Sequence, residues 1–318
     1  MSRMAERILV IKLGALGDIF LAFDVFHAVR RHHPAAHMTF LTRPAYGALA
    51  GQMPWFDKVW TDVGPQWWQV GQWLALRRKL RAGRFDRVYD LQSNERTGRY
   101  FQILGHPKPE WVGTVRGCSH QGVPLRPQRL PATERLFNLV ALAGVQPAGR
   151  ASLDWLDGPL DGFGLPPRFA VLVPGCSPKR PEKRWPPERF AELAGRFMAA
   201  GITPVAVGTA AEAEAVQIIA ARVPALINLV GRTSFGQLAA LARRAVVVVG
   251  NDTGPVHIMA SVGAPTVVLF GGASDPFVSA PRGPAVVCLR ETALGDLAVE
   301  PVWRTVGTVS PAAETKPG

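Results

Sequence analysis

Cysteine, tyrosine and acidic side chains are scarce in this chain: three Cys, three Tyr, and 24 Asp or Glu against 36 Lys or Arg in 318 residues. Cys118, Cys176 and Cys288 lie far apart, are odd in number and form no CxxC pair, so neither a disulfide framework nor a thiolate zinc site is supported. A reducing cytosol is the expected compartment. Long apolar runs are also missing. The most apolar N-terminal stretch, Ile8 to Val29, is interrupted by Lys12, Asp18 and Asp24 and broken by Gly14 and Gly17. It reads as strand, turn and helix, not as a signal peptide or a membrane span. No solenoid-length repeat, zinc finger, RNA-recognition signature or heptad-linked basic region occurs.

Enough apolar residues are present, at 47%, to supply two cores, and the length suits two domains of ordinary size. The net charge of +12 is uneven: residues 77 to 135 hold 13 Lys or Arg against 5 Asp or Glu. Such a basic face attracts nucleic acid, anionic headgroups or phosphorylated substrates. Arg77 to Arg84 also fits a solvated helix face.

Strand-like runs alternate with helical patterns almost throughout, which argues for parallel βαβ units. In the first half the expected strands are 7–13, 38–41, 58–61, 87–91 and 110–112, and the expected helices are 19–31, 67–82 and 133–142. Residues 114 to 130, rich in Gly, Pro and Arg, read as a long surface loop. The Pro/Gly-rich run 157–167 is the linker candidate. Beyond it the expected strands are 169–173, 203–207, 226–229, 245–249 and 266–270, with helices at 187–200, 211–221, 235–243 and 255–261. The domains are therefore expected at 1–156 and 168–292, with 293–318 as a C-terminal segment that could pack back on the first domain and a tail frayed from about Thr308. Two such halves imply a cleft between them.

Three strand-to-helix junctions carry the chemistry. Gly250-Asn251-Asp252-Thr253-Gly254-Pro255-Val256-His257 joins a β-branched run to a helix through N-cap residue types and a Pro suited to the first turn, a natural anion site. Pro174 to Pro187 places Lys179, Arg180, Lys183 and Arg184 within six positions of a stiff loop beside a helix start. There Lys183 can act as a point charge on a diphosphate, and Arg180 or Arg184 can fork across two oxygens. Gly14-Ala15-Leu16-Gly17-Asp18 leaves one carboxylate after the first strand; it lacks the glycines of the dinucleotide fingerprint. Read singly, each has a plain structural alternative: Asp18 as a helix cap, Asp252 and Thr253 as caps, His257 as a packed histidine, the basic loop as solvated and anchored by Trp185.

Together, GxLGD after the first strand, PGCS…KRWP opening the second domain and GNDTGPxH late in it resemble glycosyltransferase family 9, the ADP-heptose lipopolysaccharide heptosyltransferases and their relatives, over about residues 7 to 290. Subsidiary matches are Asp90-Leu91-Gln92, Thr133-Glu134-Arg135, Val230-Gly231-Arg232-Thr233-Ser234 and Asp275-Pro276, the last after what reads as the final strand. The resemblance implies a GT-B fold of two Rossmann-like doubly wound domains and an inverting sugar transfer, most naturally from ADP-heptose to a lipopolysaccharide core. Asp18 would be the general base and Lys183 the cation on the leaving phosphate. Ser177, Arg180, Lys183, Gly208, Arg232, Thr233, Asp252, Thr253, Gly254 and His257 would contact the donor. Gln92, Arg96 and Arg116 are the expected acceptor contacts, and Arg116, Arg126 and Arg129 make the 114–130 loop suitable for a phosphorylated or Kdo-bearing oligosaccharide.

No DxD motif occurs, so no protein-held metal and no resident cofactor are expected beyond the nucleotide-sugar co-substrate. The expected partners are that sugar and an anionic glycolipid, with no nucleic acid and with the inner face of the cytoplasmic membrane as a contact surface. One departure is Gly236, which stands where some heptosyltransferases carry a donor-binding glutamate. A different nucleotide sugar, a GT-B-like nucleotide-sugar epimerase and, from the basic charge, a nucleic-acid-binding protein are the competing readings.

Overall fold

A computed structural model of the chain describes residues 5–125, 128–177 and 180–310. Arg126 and Lys179, both named above, and the tail beyond 310 fall outside them. The chain divides into two units, Met1–Trp155 and Leu156–Gly318.

In the first unit β1 (Arg7–Ile11), β2 (His37–Thr42), β3 (Lys58–Thr61), β4 (Arg87–Asp90), β5 (Glu110–Gly113) and β6 (His120–Gln121) form one parallel sheet in the order β3-β2-β1-β4-β5-β6. The second unit repeats the arrangement with β7 (Phe169–Val173), β8 (Thr203–Ala206), β9 (Ile227–Asn228), β10 (Val247–Asn251), β11 (Thr266–Phe270) and β12 (Val286–Arg290), in the order β12-β11-β10-β7-β8-β9. Counted within each unit, both sheets have the doubly wound order, and the chain reverses its winding direction between the first and fourth strands. Ligands of such sheets bind beyond the carboxyl ends of those two strands. The positions are β1 and β4 in the first unit and β7 and β10 in the second. The three sequence junctions lie there.

The central strands are apolar because helices cover both faces; every residue of β7, β10 and β11 is buried. Helix Val299–Val309 seats Val299, Val302 and Val306 in the core of the second unit, beside Phe190, Phe197 and Leu269. It belongs to the stretch expected from sequence to be free to pack on the first domain.

Several boundaries differ from expectation. The 114–130 stretch is not all loop, since β6 pairs with β5 within it. β12 follows Thr266–Phe270, so that strand is not the last. The expected 19–31 helix is two helices, Leu16–Phe20 and Phe23–His32. The buried Thr133 hydroxyl donates to the Leu21 carbonyl at the break, at 2.7 Å. That bond accounts for the Thr133-Glu134-Arg135 match as a support for the helix carrying Asp18.

The second unit's two ligand-facing turns are locked together by Asn251. Its side chain is fully buried; Nδ2 donates to the Pro174 carbonyl at 2.8 Å, and Oδ1 accepts from the Trp185 backbone N–H at 3.1 Å. Trp185 is itself 1% exposed, donates Nε1–H to the Leu297 carbonyl and meets Phe190 edge-on. Gly250 permits the close approach beside this lock: a Cβ there would lie 2.6 Å from Val173 Cβ and 2.8 Å from Val256 Cγ2. Replacing Asn251 by Leu strands a buried N–H and a buried carbonyl, so the second unit should lose roughly 2 to 4 kcal/mol in urea unfolding. A loss below about 0.5 kcal/mol, the range of neutral surface changes, would show that Asn251 does not lock the turns.

Candidate active site

The turn after β10 runs into helix Gly254–Ser261, with Thr253 at the N-cap position and Pro255 in the first turn. The Thr253 side chain makes no capping bond; Pro255 has no N–H and the Val256 N–H donates to the Thr253 carbonyl at 3.1 Å, so the Gly254 N–H is the first-turn donor left unclaimed among the described residues. It lies at the positive end of the helix dipole.

Facing this turn is Lys183, from the loop after β7. Its Nζ lies 2.7 Å from Asp252 Oδ2, with the two side chains 17% and 9% exposed. His257, one turn into the helix and buried, places Nε2 3.8 Å from Asp252 Oδ1, too long for a hydrogen bond. Lys183 is therefore the direct partner of the carboxylate. Burial opposes the Asp252 charge, but the facing His257, Lys183 and Ser274 outweigh it and hold the carboxyl down to about 2. Cys176 places its sulfur 4.0 Å from the Asp252 carbonyl, which brings Ser177 to the same rim.

Two further loop cations, Arg180 and Arg184, have partners on the loop itself. Arg180 pairs with Glu182 at 2.6 Å, and Arg184 donates Nη2–H to the Cys176 carbonyl at 2.9 Å, bracing the loop. The buried Arg184 Nε and His257 Nδ1 find no hydrogen-bond partner among the described residues.

The rim continues past β8. Glu212 was not singled out from sequence. It is buried, accepts from the Thr209 N–H and hydroxyl at 2.7 and 2.8 Å, and comes so close to Gly175 and Gly208 that a Cβ on either would lie 2.5 or 3.0 Å from it. Gly231 N–H donates to the Gly208 carbonyl at 2.8 Å, which carries Arg232 and Thr233 to the same edge. Arg232 is exposed, with its guanidinium 5.8 Å from the Phe163 ring. Gly236 is packed against the linker: a Cβ there would lie 2.1 Å from the Asp157 carbonyl oxygen. No side chain fits where some heptosyltransferases carry their glutamate.

In the first unit Asp18 is the third residue of helix Leu16–Phe20; Ala15 stands at the N-cap position, and Asp18 Oδ2 accepts the Ala15 N–H at 3.1 Å, so the carboxylate helps to cap the helix from its first turn. Gly14, at φ +117°, makes room for Tyr46, whose ring would lie 2.6 Å from a Cβ at Gly14. Burial raises the Tyr46 phenol, with the Asp18 charge adding to it. Sequence gave no signal for Tyr46, which arrives from the turn after β2. Gln92 Oε1 accepts the Leu13 N–H at 2.9 Å and so ties the β4 turn to the β1 turn. Asp90 beneath it is 1% exposed and accepts N–H bonds from Gln92 and Ser93; burial pushes its carboxyl up to about 6. Arg96 is held by Asp62 at 3.1 Å and by Tyr100 at 2.6 Å, while Arg116 is exposed. Among the described residues no cluster of three or more His, Cys, Asp or Glu could hold a metal ion.

A cavity of about 1200 Å³ lies at the opposite, amino end of the first sheet, lined by Glu6, His33, Arg87 and Glu110 among others. Those four pair with one another through Arg87–Glu110 and His33–Glu6 contacts of 2.5 and 2.9 Å. It is at the wrong sheet edge for a doubly wound site.

Asp252 lies below its unfolded value, so its contribution to stability is present above about pH 4 and is lost as pH falls through about 2. That contribution is about 2 kcal/mol at neutral pH, with about half gone by pH 3. Asp252→Asn should therefore be less stable than the parent at pH 7 and close much of the gap by pH 3 in chemical unfolding. A gap unchanged with pH would show that the pairing contributes nothing.

The sequence model of glycosyltransferase family 9 (heptosyltransferase) matches residues 73–297. Lipopolysaccharide heptosyltransferase 2 of Escherichia coli K12 is 26% identical over 294 residues, covering 85% of this chain and 84% of its own length. The glycosyltransferase family 9 structure from Veillonella parvula superposes at a TM-score of 0.84 with 24% identity, covering 98% of each chain. E. coli heptosyltransferase WaaC with ADP-2-deoxy-2-fluoro heptose superposes at 0.74 with 20% identity, over 95% of this chain and 99% of its own. The architecture is that of GT-B transferases, and the chain belongs to glycosyltransferase family 9 (heptosyltransferase).

Proposed function

We propose that this glycosyltransferase moves heptose from ADP-heptose to a lipopolysaccharide core acceptor, with inversion at the anomeric carbon. The observation that carries the donor half is the Lys183–Asp252 pair, set against an uncapped helix N-terminus at the second unit's switch point. Asp252 holds the Lys183 ammonium in place, and the ammonium, the Gly254 N–H and the helix dipole can take the charge that develops on the departing diphosphate. His257, Thr253 and Gly254 share that turn, and Ser177 lies on the facing loop. Gly208, Arg232 and Thr233 extend along the same edge, where a nucleoside would lie. The relatives named as heptosyltransferases, one of them holding an ADP-heptose analogue, favour this donor.

Asp18 is the proposed base. An acceptor hydroxyl gives its proton to the Asp18 carboxylate while its oxygen bonds to the anomeric carbon, and the bond from that carbon to the diphosphate oxygen breaks, releasing ADP. The neighbouring Ala15 N–H fixes the carboxylate's place, and the Tyr46 ring packs beside Gly14 in the same turn. Gln92 and Arg116 remain the proposed acceptor contacts. Arg96, engaged by Asp62, is proposed to shape that surface.

A second donor is favoured by one observation: the Asp157 backbone fills the space beside Gly236, so a nucleotide other than ADP could be selected. Calorimetric titration with ADP, UDP, GDP and CMP separates the two, ADP being expected to bind tightest; tighter UDP or GDP would replace the donor and keep the transfer.

Asp18→Ala should keep ADP affinity and lose roughly 100-fold to 10,000-fold in turnover of ADP-heptose with a lipopolysaccharide-core acceptor. Near-normal turnover would remove Asp18 as base. Lys183→Ala should weaken ADP roughly tenfold or more, a charged hydrogen bond being worth about 1.5–3 kcal/mol. Unchanged affinity would move the diphosphate elsewhere.

A further inference from the structure

The exposed large apolar side chains of this protein are concentrated on one segment. Val63 and Trp67 are each 75% exposed, Trp68 60%, Val70 62% and Leu74 49%. Trp67 and Trp68 meet edge to face at 5.5 Å and lead directly into helix Val70–Ala82. That helix turns Leu76 and Leu80 to the core. With 3.6 residues per turn, Val70, Leu74, Arg77, Arg78 and Arg81 fall on one outward stripe, apolar in its first half and cationic in its second. From Val63 to Phe85 there are five Lys or Arg and no Asp or Glu.

We propose that this surface docks the protein on an anionic phospholipid bilayer, with Trp67 and Trp68 at the headgroup level and Arg77, Arg78 and Arg81 on the lipid phosphates. Aromatic rings with one wet and one apolar side favour that interface, and cations beside them add attraction to an anionic leaflet. Charge complementarity decides the occupant. A second copy paired about a two-fold axis would meet these arginines with the same patch, which holds no carboxylate to pair them. A single-stranded nucleic acid could stack on the tryptophans but gains little from Val63, Val70 and Leu74. No helix is long and apolar enough to cross a membrane among the described residues, so the attachment is peripheral. The proposal does not depend on the identity of donor or acceptor, since it concerns the bilayer alone.

Co-sedimentation of the full chain with phosphatidylcholine vesicles, with or without phosphatidylglycerol, tests it in the absence of any sugar substrate. The expected result is binding to the mixed vesicles only, weakened by salt. Trp67→Ala/Trp68→Ala should lower the partition coefficient by about tenfold or more, and Arg78→Gln/Arg81→Gln should abolish the preference for phosphatidylglycerol. All four side chains are exposed, and unchanged melting temperature and ADP affinity would confirm that the variants are folded. No vesicle binding by the parent, equal binding by the tryptophan variant, displacement by a single-stranded oligonucleotide, or a concentration-dependent dimer abolished by the tryptophan substitutions would each overturn the proposal.

Discussion

The second unit depends on one buried amide. Two backbone turns that carry unsatisfied polar groups must meet at the carboxyl edge of the β7–β10 pair. Asn251 satisfies a carbonyl from one side of the loop after β7 and an N–H from the other while standing at the end of β10. Gly250 brings the strands close enough for that reach, and Trp185 ties the loop to the core through Leu297. With the frame fixed, Lys183 has one direction available and Asp252 meets it there. A lysine on a mobile loop would spend side-chain entropy on every ligand it met; one already aligned by a carboxylate loses less.

The first unit solves the same topological problem with different groups. Its β1 and β4 turns are joined by Gln92 to Leu13, over a buried Asp90 whose charge is opposed by burial. Beside them stands the half-buried Asp18, whose carboxylate accepts the Ala15 N–H. The two units therefore share a strand order and differ in the groups at the switch point: Asp18 in the first and the Lys183–Asp252 pair in the second. The proposed transfer would use that difference, the carboxylate for the acceptor's proton and the ammonium for the charge of the diphosphate.

Legibility from sequence followed burial. β7 and β11 are runs of apolar residues covered on both faces, and their ends can be read to the residue. β12 is an edge strand with mostly half-buried residues, and β6 has two residues in a Gly/Pro-rich stretch, so neither carries a period. The break between Leu16–Phe20 and Phe23–His32 has no Gly or Pro at Leu21 or Ala22; its partner, Thr133, is 112 positions away. Among site residues, the junction motifs placed Lys183, Asp252 and His257 on two turns without saying that they touch, because 69 residues separate the ion pair. Tyr46 and Glu212 were invisible for the same reason: each reaches its turn from another strand's loop. For the two loop arginines, charge density gave their place on the loop but not their neighbours, Glu182 for Arg180 and the Cys176 carbonyl for Arg184.

The central claim is that the donor's diphosphate rests on the β7 and β10 turns of the second unit. Hydrogen–deuterium exchange of the full chain with and without saturating ADP tests it most directly, because it reports where the nucleotide acts. The account predicts slowed exchange in peptides spanning 174–185 and 250–257, with no comparable change around 14–18. Protection confined to the first unit, or none in those two turns while ADP is bound, would contradict it.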